Sequence, residues 1–182
     1  GHIDLYILDI ILGKVKRVIK GEREGKIESF HPLSTRACWH PYENIIALPV
    51  RRNARERIII YDVNKGREIR NLEVSFDAIY SMSFSPDGES IVFSALKGTT
   101  KDIFILSLTT GKMLNLTNDP YEDDSPTFNS EGDCIFFASD RPSQDTVSYN
   151  SLNIFSYSLG THNVIPVTTD GKNNYSPVVL PN

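Results

Sequence analysis

Short runs of apolar residues alternate with polar turn residues along the whole chain. The stretch FSPDGESIVFS, at 84–94, places a Ser-Pro-Asp-Gly turn between an aromatic residue and a run rich in Val, Ile and Phe. Val, Ile, Phe and Tyr favour strands, whereas Pro and Gly favour tight turns. Apolar runs of this length, with no helical period, predict a chain built of short antiparallel strands.

The same pattern recurs at a nearly constant interval. WHPYENIIALP begins at Trp39 and FNSEGDCIFFAS begins at Phe128, so these aromatic residues lie 45 and 44 residues from Phe84. We expect the three aromatic side chains to occupy equivalent buried positions. The three stretches therefore indicate one repeated structural unit.

Two further markers recur with the same period. One is a short segment of polar, apolar and aromatic residues, which reads DLYI, RIII, DIFI and NIFS at 4–7, 57–60, 102–105 and 153–156. A glycine follows each segment, at Gly13, Gly66, Gly111 and Gly160. Each unit thus supplies four antiparallel strands, and a unit of about 45 residues must stack on its neighbours to bury both faces. The sequence predicts an all-β chain, a β-propeller of four-stranded antiparallel blades.

The repeats also predict how the blades divide the chain, which we interpret as a single β-propeller domain or fragment over 1–182. With the strands lettered A to D in each blade, a blade remnant occupies 1–20, and 175–182 are expected to begin a further blade. Three complete blades lie between them, at about 33–74, 78–118 and 124–169. Three complete and two partial blades favour part of a larger ring of six or more blades. The alternative is a strained four-bladed ring in which the terminal pieces join.

Composition narrows the functional classes. The net charge is −4, with 14 Lys/Arg against 9 Asp/Glu in 1–72 and 5 against 14 in 73–182, so no nucleic-acid partner is expected. No apolar run reaches the length of about 18–20 residues that a membrane span needs. The chain shows neither a G-x-S-x-G motif nor a close histidine pair, so it is not expected to be an enzyme.

The quoted motifs resemble the TolB-like (WD40-like) β-propeller repeat family. SFSPDGESIVFSA, SPTFNSEGDCIFFASDR and DIFILSLTTGKMLNLTND carry the resemblance. It implies a non-catalytic scaffold that binds another envelope protein, or other domains of a parent chain, in the periplasm or at the bacterial cell surface. The alternative is a substrate-gating propeller of a prolyl-oligopeptidase-type serine peptidase whose catalytic domain lies outside this chain.

Length differences between repeats point to a binding face. The B–C connection of the third complete blade is longer than those of the first two, and so is the D–A connection before Trp39. Both connections emerge at the same end of a four-stranded blade, and loops on a rigid scaffold commonly carry binding residues. The candidate binding residues at this end are Arg51, Arg52, Arg55, Asp119, Glu122, Asp123, Asp124, Asp140, Arg141, Asp170, Asn173, Asn174 and Tyr175.

The charged residues of this face are expected to be solvated rim charges. Four arginines in RRNARER could grip a carboxylate-rich or phosphorylated partner. Four carboxylates in the loop at 119–124 could hold Ca²⁺, which takes six to eight oxygen ligands, although the spacing is not that of an EF-hand. No metal site and no cofactor is the primary prediction, and Ca²⁺ at this loop is the alternative.

Overall fold

The computed structural model describes residues 4–21, 27–30, 36–143, 151–170 and 172–180. These residues form strands connected by turns and no helix, and hence no helix that could cross a membrane. The fourteen strands β1 to β14 are, in order, Leu5–Asp9, Lys14–Ile19, Cys38–Trp39, Ile45–Arg52, Arg55–Asp62, Arg67–Glu73, Ala78–Phe84, Ser90–Lys97, Thr100–Ser107, Met113–Asn115, Asp123–Phe128, Cys134–Ser139, Asn153–Ser158 and Val164–Pro166.

The strands form one two-stranded sheet and three four-stranded sheets. Strands β1 and β2 form the small sheet, and β3–β6, β7–β10 and β11–β14 form the others, each strand pairing antiparallel with the next along the chain. We refer to the three larger sheets as blades 1, 2 and 3, with strands A to D in chain order. The predicted all-β propeller architecture of four-stranded antiparallel blades is confirmed.

Apolar side chains between successive sheets form the core. Phe84 and Phe93 of blade 2 lie in one cluster with Ile58 of blade 1, and Phe128 and Phe137 of blade 3 lie in another with Val92 of blade 2. Alternate residues of a strand point to opposite faces, so one blade can contribute to both clusters. The blades are therefore held together mainly by burial of these two apolar layers.

Trp39 departs from the prediction, because its side chain is 51% exposed whereas Phe84 and Phe128 are 7% and 5% exposed. The two phenylalanines pack against the blade that precedes them. The sheet before Trp39 contains only β1 and β2 among the described residues, and these match strands C and D. No inner strand of that sheet covers the indole ring.

The backbone adds two details at the C-terminal side of the chain. Residues 175–180 pair with no described strand, and the expectation that they begin a further blade stays a prediction. In the last C–D hairpin the left-handed position is held by His162 (φ 61°) rather than by Gly160. Gly66 and Gly111 occupy the same position in blades 1 and 2, each donating its amide to the carbonyl four residues earlier, as His162 does.

Backbone hydrogen bonds place the B–C and D–A connections at a common end of each blade. Asp77, in the D–A connection before β7, donates its amide to the Leu96 carbonyl at the end of strand B. Gly98, in the adjoining B–C turn, donates its amide to the Asp77 carboxylate at 2.8 Å. In blade 3 the roles are reversed, because the Glu122 amide of the D–A connection donates to the Asp140 carboxylate at the start of the B–C connection. We call this the B–C/D–A end, and the other the A–B/C–D end.

Candidate functional site

The predicted arginine group lies on the β4–β5 hairpin of blade 1. Register pairs Arg52 with Arg55 across a two-residue turn, in which Asn53 and Ala54 both have positive φ. This turn projects the side chains of strand ends beyond the sheet. The hairpin thus presents arginines at the B–C/D–A end, as the sequence predicts.

Most of these arginines are already paired within blade 1. Arg52 binds the Glu68 carboxylate through two nitrogens, at 2.6 and 3.2 Å, and Arg55 and Arg57 both bind Glu73. Hydrogen bonds from Arg55 and the charges of both arginines lower the pKa of Glu73 below its ordinary value. Glu73 therefore stays ionised and neutralises much of the arginine charge.

Arg51 differs from its neighbours. Its side chain is exposed and forms no hydrogen bond or ion pair within the described part of the chain, while its backbone pairs with Ser29. Arg55 also remains largely exposed despite its pairing, with 67% of its side chain accessible. These two guanidinium groups are the ones that a carboxylate or phosphate of a partner could reach.

The acidic connection between blades 2 and 3 is organised around Arg141. Its Nη2 donates to both carboxylate oxygens of Asp123 at 2.9 Å and to Asp119 at 3.1 Å. The guanidinium carbon lies 5.4 Å from the Tyr121 ring centroid and 5.2 Å from that of Phe137. A buried cation over aromatic faces gains cation–π attraction in addition to its ion pairs.

Asp123 is not the exposed rim charge that the sequence suggests, because it is fully buried. Burial raises the pKa of Asp123 from its ordinary 3.8 to about 6, and the Arg141 charge opposes this rise. The carboxylate is ionised at neutral pH, and its partner is Arg141 of the same blade. Asp123 is therefore enclosed and paired with Arg141 within blade 3 instead of being presented to solvent at the rim.

The neighbouring carboxylate of Asp124 points to a different set of partners. Its Oδ1 accepts hydrogen bonds from the hydroxyls of Ser81 and Ser94, at 3.0 and 2.9 Å, and its Oδ2 binds Lys101 Nζ at 3.0 Å. Although burial acts to raise its pKa, the Lys101 charge and hydrogen bonds hold the pKa of Asp124 below its ordinary value. This network ties strand A of blade 3 to blade 2.

Carboxylates that could hold a cation lie around Arg141. Asp102, Asp119 and Asp123 each place one oxygen within 4.8 Å of the others. Three carboxylate ligands are at most half of the six to eight oxygens that Ca²⁺ takes, and Arg141 already binds two of the three groups. Ca²⁺ at this loop stays a prediction.

The remaining candidate residues fall into two groups. Glu122 and Asp140 are exposed and adjacent, joined by the hydrogen bond between the Glu122 amide and the Asp140 carboxylate. Asp170, Asn173, Asn174 and Tyr175 follow blade 3. Asn173 Oδ1 accepts the Leu152 amide at 3.1 Å, and Asp170 accepts the Asn174 side chain at 2.7 Å. The Tyr175 ring is 69% exposed.

The structure thus separates the candidates by accessibility at the B–C/D–A end. The exposed ones are Arg51, Arg55, Glu122, Asp140, Asp170, Asn173 and Tyr175. The two insertions that first suggested this end, at 20–36 and 139–151, fall partly outside the described residues, which omit 22–26, 31–35 and 144–150. What the described residues present is a mixed-charge surface of exposed side chains over a buried, internally paired layer.

Reasoning from sequence missed the residues that complete this layer. Lys101, Ser81 and Ser94 gave no signal of their own, because one lysine and two serines in strands look like ordinary surface positions. The only hint is that Ser81 and Ser94 sit inside otherwise apolar runs, AIYSMSF and SIVFSALK. A hydroxyl at such a position implies a buried hydrogen-bond partner.

The described histidines do not form a catalytic arrangement. His40 Nδ1 accepts the backbone amides of Tyr42 and Glu43, at 3.2 and 3.1 Å, and His162 Nδ1 shares a hydrogen bond with the Tyr157 hydroxyl at 2.8 Å. Neither histidine activates a serine or cysteine in these contacts.

A second concave surface lies at the opposite, A–B/C–D end of the blades. A cavity of about 490 Å³ opens between the turns that follow strands A, and its apolar lining includes Trp39, Tyr42, Phe84, Phe128 and Leu180. It lies away from the charged candidates at the B–C/D–A end. None of the predicted site residues lines it.

Comparison with known proteins agrees with this architecture. The family model described as "TolB beta propeller domain" matches residues 19–182. Among curated proteins, the Tol-Pal system protein TolB of Francisella tularensis subsp. holarctica (strain OSU18) is 28% identical over 118 residues, which cover 65% of this chain and 27% of that protein. The chain thus spans about a quarter of the length of the curated relatives it matches.

Solved structures share the fold at lower identity. TolB from Acinetobacter baumannii is 15% identical with a TM-score of 0.67, over 92% of this chain and 38% of that one. A putative TolB from Agrobacterium tumefaciens is 16% identical with a TM-score of 0.66, over 92% and 57%. A nidogen/laminin complex is 9% identical with a TM-score of 0.64, over 93% and 59%.

Proposed function

Since the chain belongs to the TolB β-propeller domain family, with the family model matching residues 19–182, we propose that it is a non-catalytic protein-binding module of the bacterial cell envelope. Its partner is another envelope protein or another domain of a parent protein. Periplasmic or cell-surface location is part of this proposal and rests on the similarity to Tol-Pal system protein TolB.

The observation that carries the proposal is the contrast between internally paired and exposed charged residues at the B–C/D–A end. Hydrogen bonds and ion pairs within and between blades already engage one set of charged residues, namely Asp123, Asp124, Arg141 and Lys101. Above them, Arg51, Arg55, Glu122 and Asp140 remain exposed, with both signs of charge on one rigid surface. A scaffold of this kind presents charges to a partner without reorganising its core.

Such a surface favours specificity and rate of association over raw affinity. Exposed charges of both signs steer a partner of complementary pattern and repel others. Each exposed pair is worth no more than about 1 kcal/mol, so binding needs several contacts. Tyr175, exposed at the same end, could add an aromatic anchor of the kind enriched in binding hot spots.

The proposal can be tested by site-specific photo-crosslinking in cells that express the protein in its native context. A photo-reactive residue replaces Arg51 or Asp140 at the B–C/D–A end. Matched controls replace Lys112 and Glu131, which are exposed at the A–B/C–D end. A discrete crosslinked envelope protein from the first pair alone supports the proposal.

Charge reversal gives an independent readout with the crosslinked partner. Arg51→Glu and Asp140→Lys are expected to weaken binding, mainly by slowing association, and more at low than at high ionic strength. Lys112→Glu and Glu131→Lys should leave it unchanged. Crosslinks only from the control positions, or loss of binding only in the control variants, would place the binding surface elsewhere.

The peptidase-gating alternative gains nothing from these observations. The curated relative and two of the solved structures reported above carry the name TolB, and none of the three is named as a peptidase. The described part of the chain offers no feature specific to gating. We therefore put forward a single function.

A further inference from the structure

The β1–β2 hairpin ends in an apolar tip. Ile10, Ile11 and Leu12 are consecutive in this turn and are 87%, 90% and 64% exposed. Three adjacent aliphatic side chains in water are unfavourable, since each would gain by leaving it. An apolar tip of this kind calls for a partner.

Comparison with the other C–D hairpins separates two reasons for this exposure. Ile10 corresponds to Val63, Leu108 and Leu159, each of which donates its amide to a carbonyl of the A–B turn of its own blade, at 2.8–2.9 Å. The β1–β2 sheet has no such turn beside it among the described residues. The exposure of Ile10 is thus explained by the lack of an adjacent A–B turn among the described residues, and it gives no evidence for a binding partner.

Ile11 and Leu12 are different, because their counterparts are exposed in the complete blades as well. These counterparts are Asn64 and Lys65, Thr109 and Thr110, and Gly160 and Thr161, all exposed and none of them a large apolar residue. Adding inner strands to the first sheet would leave this turn in solvent. The apolar pair is therefore a property of this turn alone.

Two backbone amides of the tip are already paired. Asp9 Oδ1 accepts the amides of both Ile11 and Leu12, at 3.0 and 2.9 Å. Unpaired amides would oppose transfer of the turn into an apolar medium, and here these two are paired within the turn. The tip can lose water without leaving these donors unpaired.

Exposed cations lie beside the tip, on β2 and on the neighbouring C–D turn of blade 1. Lys14 and Lys16 on β2 are exposed, and Lys16 Nζ lies 3.4 Å from the Val63 carbonyl in the next C–D turn. This contact brings the exposed Lys65 and Arg67 of that turn to the same side. Asp9 stands opposite Lys14 in the hairpin register, and Asp62 is paired with Lys65 at 3.0 Å, so the tip and the adjoining C–D turn together carry a net positive charge. This charge is local, because the A–B turns at the same end carry exposed acidic residues, which are Glu43, Asp87, Glu89, Glu131 and Asp133.

We propose that the β1–β2 tip docks on an anionic lipid surface, with Ile11 and Leu12 inserted among the headgroups and Lys14, Lys16 and Arg67 over them. An aliphatic tip with cations beside it on β2 and on the adjoining C–D turn fits a bilayer carrying negative headgroups, where apolar burial and attraction to the surface act together. The B–C/D–A end then faces away from the lipid.

The experiment is co-sedimentation of the full chain with phosphatidylglycerol-containing vesicles and with pure phosphatidylcholine vesicles. The variant Ile11→Thr/Leu12→Thr gives the tip the turn residues of blade 2 and keeps Asp9 and Gly13. We expect it to lower partition into the anionic vesicles by about 100-fold, as removal of two aliphatic side chains from the interface would. The wild type should prefer anionic to neutral vesicles and release them as salt is raised.

A second variant transfers the apolar pair to another turn instead of removing it. Thr109→Ile/Thr110→Leu, added to the threonine variant, carries the apolar pair to the blade 2 turn, where Lys112 follows, and is expected to restore part of the partition. Lys14→Glu/Lys16→Glu should lower anionic-vesicle partition by about fivefold per charge and leave the neutral-vesicle value unchanged. Circular dichroism and thermal unfolding verify that each variant is folded.

Four outcomes would overturn the proposal. The wild type does not sediment with anionic vesicles, or it sediments equally well after Ile11→Thr/Leu12→Thr. Alternatively, sedimentation velocity without lipid shows a dimer that the threonine variant abolishes, which assigns the tip to a second copy of the chain. A tip-dependent crosslink to a protein with no vesicle binding would likewise assign it to a protein partner.

Discussion

Arg141 donates from a single nitrogen, Nη2, to both carboxylate oxygens of Asp123, each at 2.9 Å. Asp123 opens strand A of blade 3 at β11, and Arg141 lies just beyond the end of strand B at β12. The pair therefore locks the B–C/D–A end of this blade, and it lies beneath the exposed charges proposed to bind a partner. Its consequences can be measured directly.

Loss of Arg141 should be strongly destabilising. Arg141→Met leaves the Asp123 carboxylate buried without its cation, and breaking a buried pair in this way costs about 3–5 kcal/mol. Urea unfolding measures the change, and Asp123→Asn in the same chain should recover part of it because the uncompensated charge is removed. Asp140→Asn, at the neighbouring exposed position, is the control and should change the free energy of unfolding by less than about 0.5 kcal/mol. Equal effects of the two single substitutions would contradict the assignment.

The raised pKa of Asp123 predicts a pH dependence between about 4 and 6. The folded-state pKa of about 6 lies above the ordinary 3.8, so the folded protein holds this proton more tightly than the unfolded chain. The Asp123 contribution to the free energy of unfolding therefore falls as pH rises through this window, by about 3 kcal/mol, and is constant above it.

The variant Asp123→Asn removes the ionisable carboxyl group and so isolates the contribution of Asp123 to the free energy of unfolding. Groups with a lowered pKa, such as Asp124 and Asp170, contribute stability that is present above about pH 4 and is lost as pH falls further. The difference in the free energy of unfolding between wild type and Asp123→Asn should thus decrease from pH 4 to pH 6. A difference that stays flat across this interval is incompatible with the raised pKa.

Gly88 and Gly111 provide a matched pair of turn glycines. Both have positive φ, 76° and 72°, but a Cβ at Gly88 would overlap the His40 ring, whereas one at Gly111 would meet nothing within 4 Å. We expect Gly111→Ala to cost about 1–2 kcal/mol from backbone strain, and Gly88→Ala to cost a further 1–3 kcal/mol or so from the overlap. Thermal or urea unfolding measures both.

A rescue experiment identifies the source of the extra cost. His40→Ala removes the ring that the new Cβ would strike, so the double variant should be less destabilised than the sum of the two single variants. Additive effects would mean that the ring moves aside and that only backbone strain matters.

Trp39 and Phe84 occupy equivalent repeat positions but should respond differently to truncation. Phe84→Ala removes a side chain that is 7% exposed and packed between blades, so it should cost about 3–5 kcal/mol. Trp39→Ala removes a half-exposed ring and should cost less than about 1 kcal/mol. Similar values for the two, measured by urea unfolding, would show that Trp39 is buried in solution.

The sequence by itself determined the repeated unit, its strands and its family. Turn residues such as Pro86, Asp87 and Gly88, and apolar runs such as SIVFS, act through local backbone preferences, which do not depend on distant parts of the chain. The regular spacing then leaves stacking of four-stranded blades as the way to bury both faces of each unit. It also indicated the end of the blades at which the candidate residues gather.

Only the tertiary structure decided which of those residues are exposed. Asp123 and Asp124 are adjacent and chemically identical, yet one is sealed against Arg141 and the other bonds to Ser81, Ser94 and Lys101 of blade 2. Trp39 keeps the repeat position of Phe84, but among the described residues no inner strand of the preceding sheet covers it. The burial and pairing of a side chain depend on the side chains that the neighbouring sheet places against it. The local sequence of a strand does not specify those neighbouring side chains.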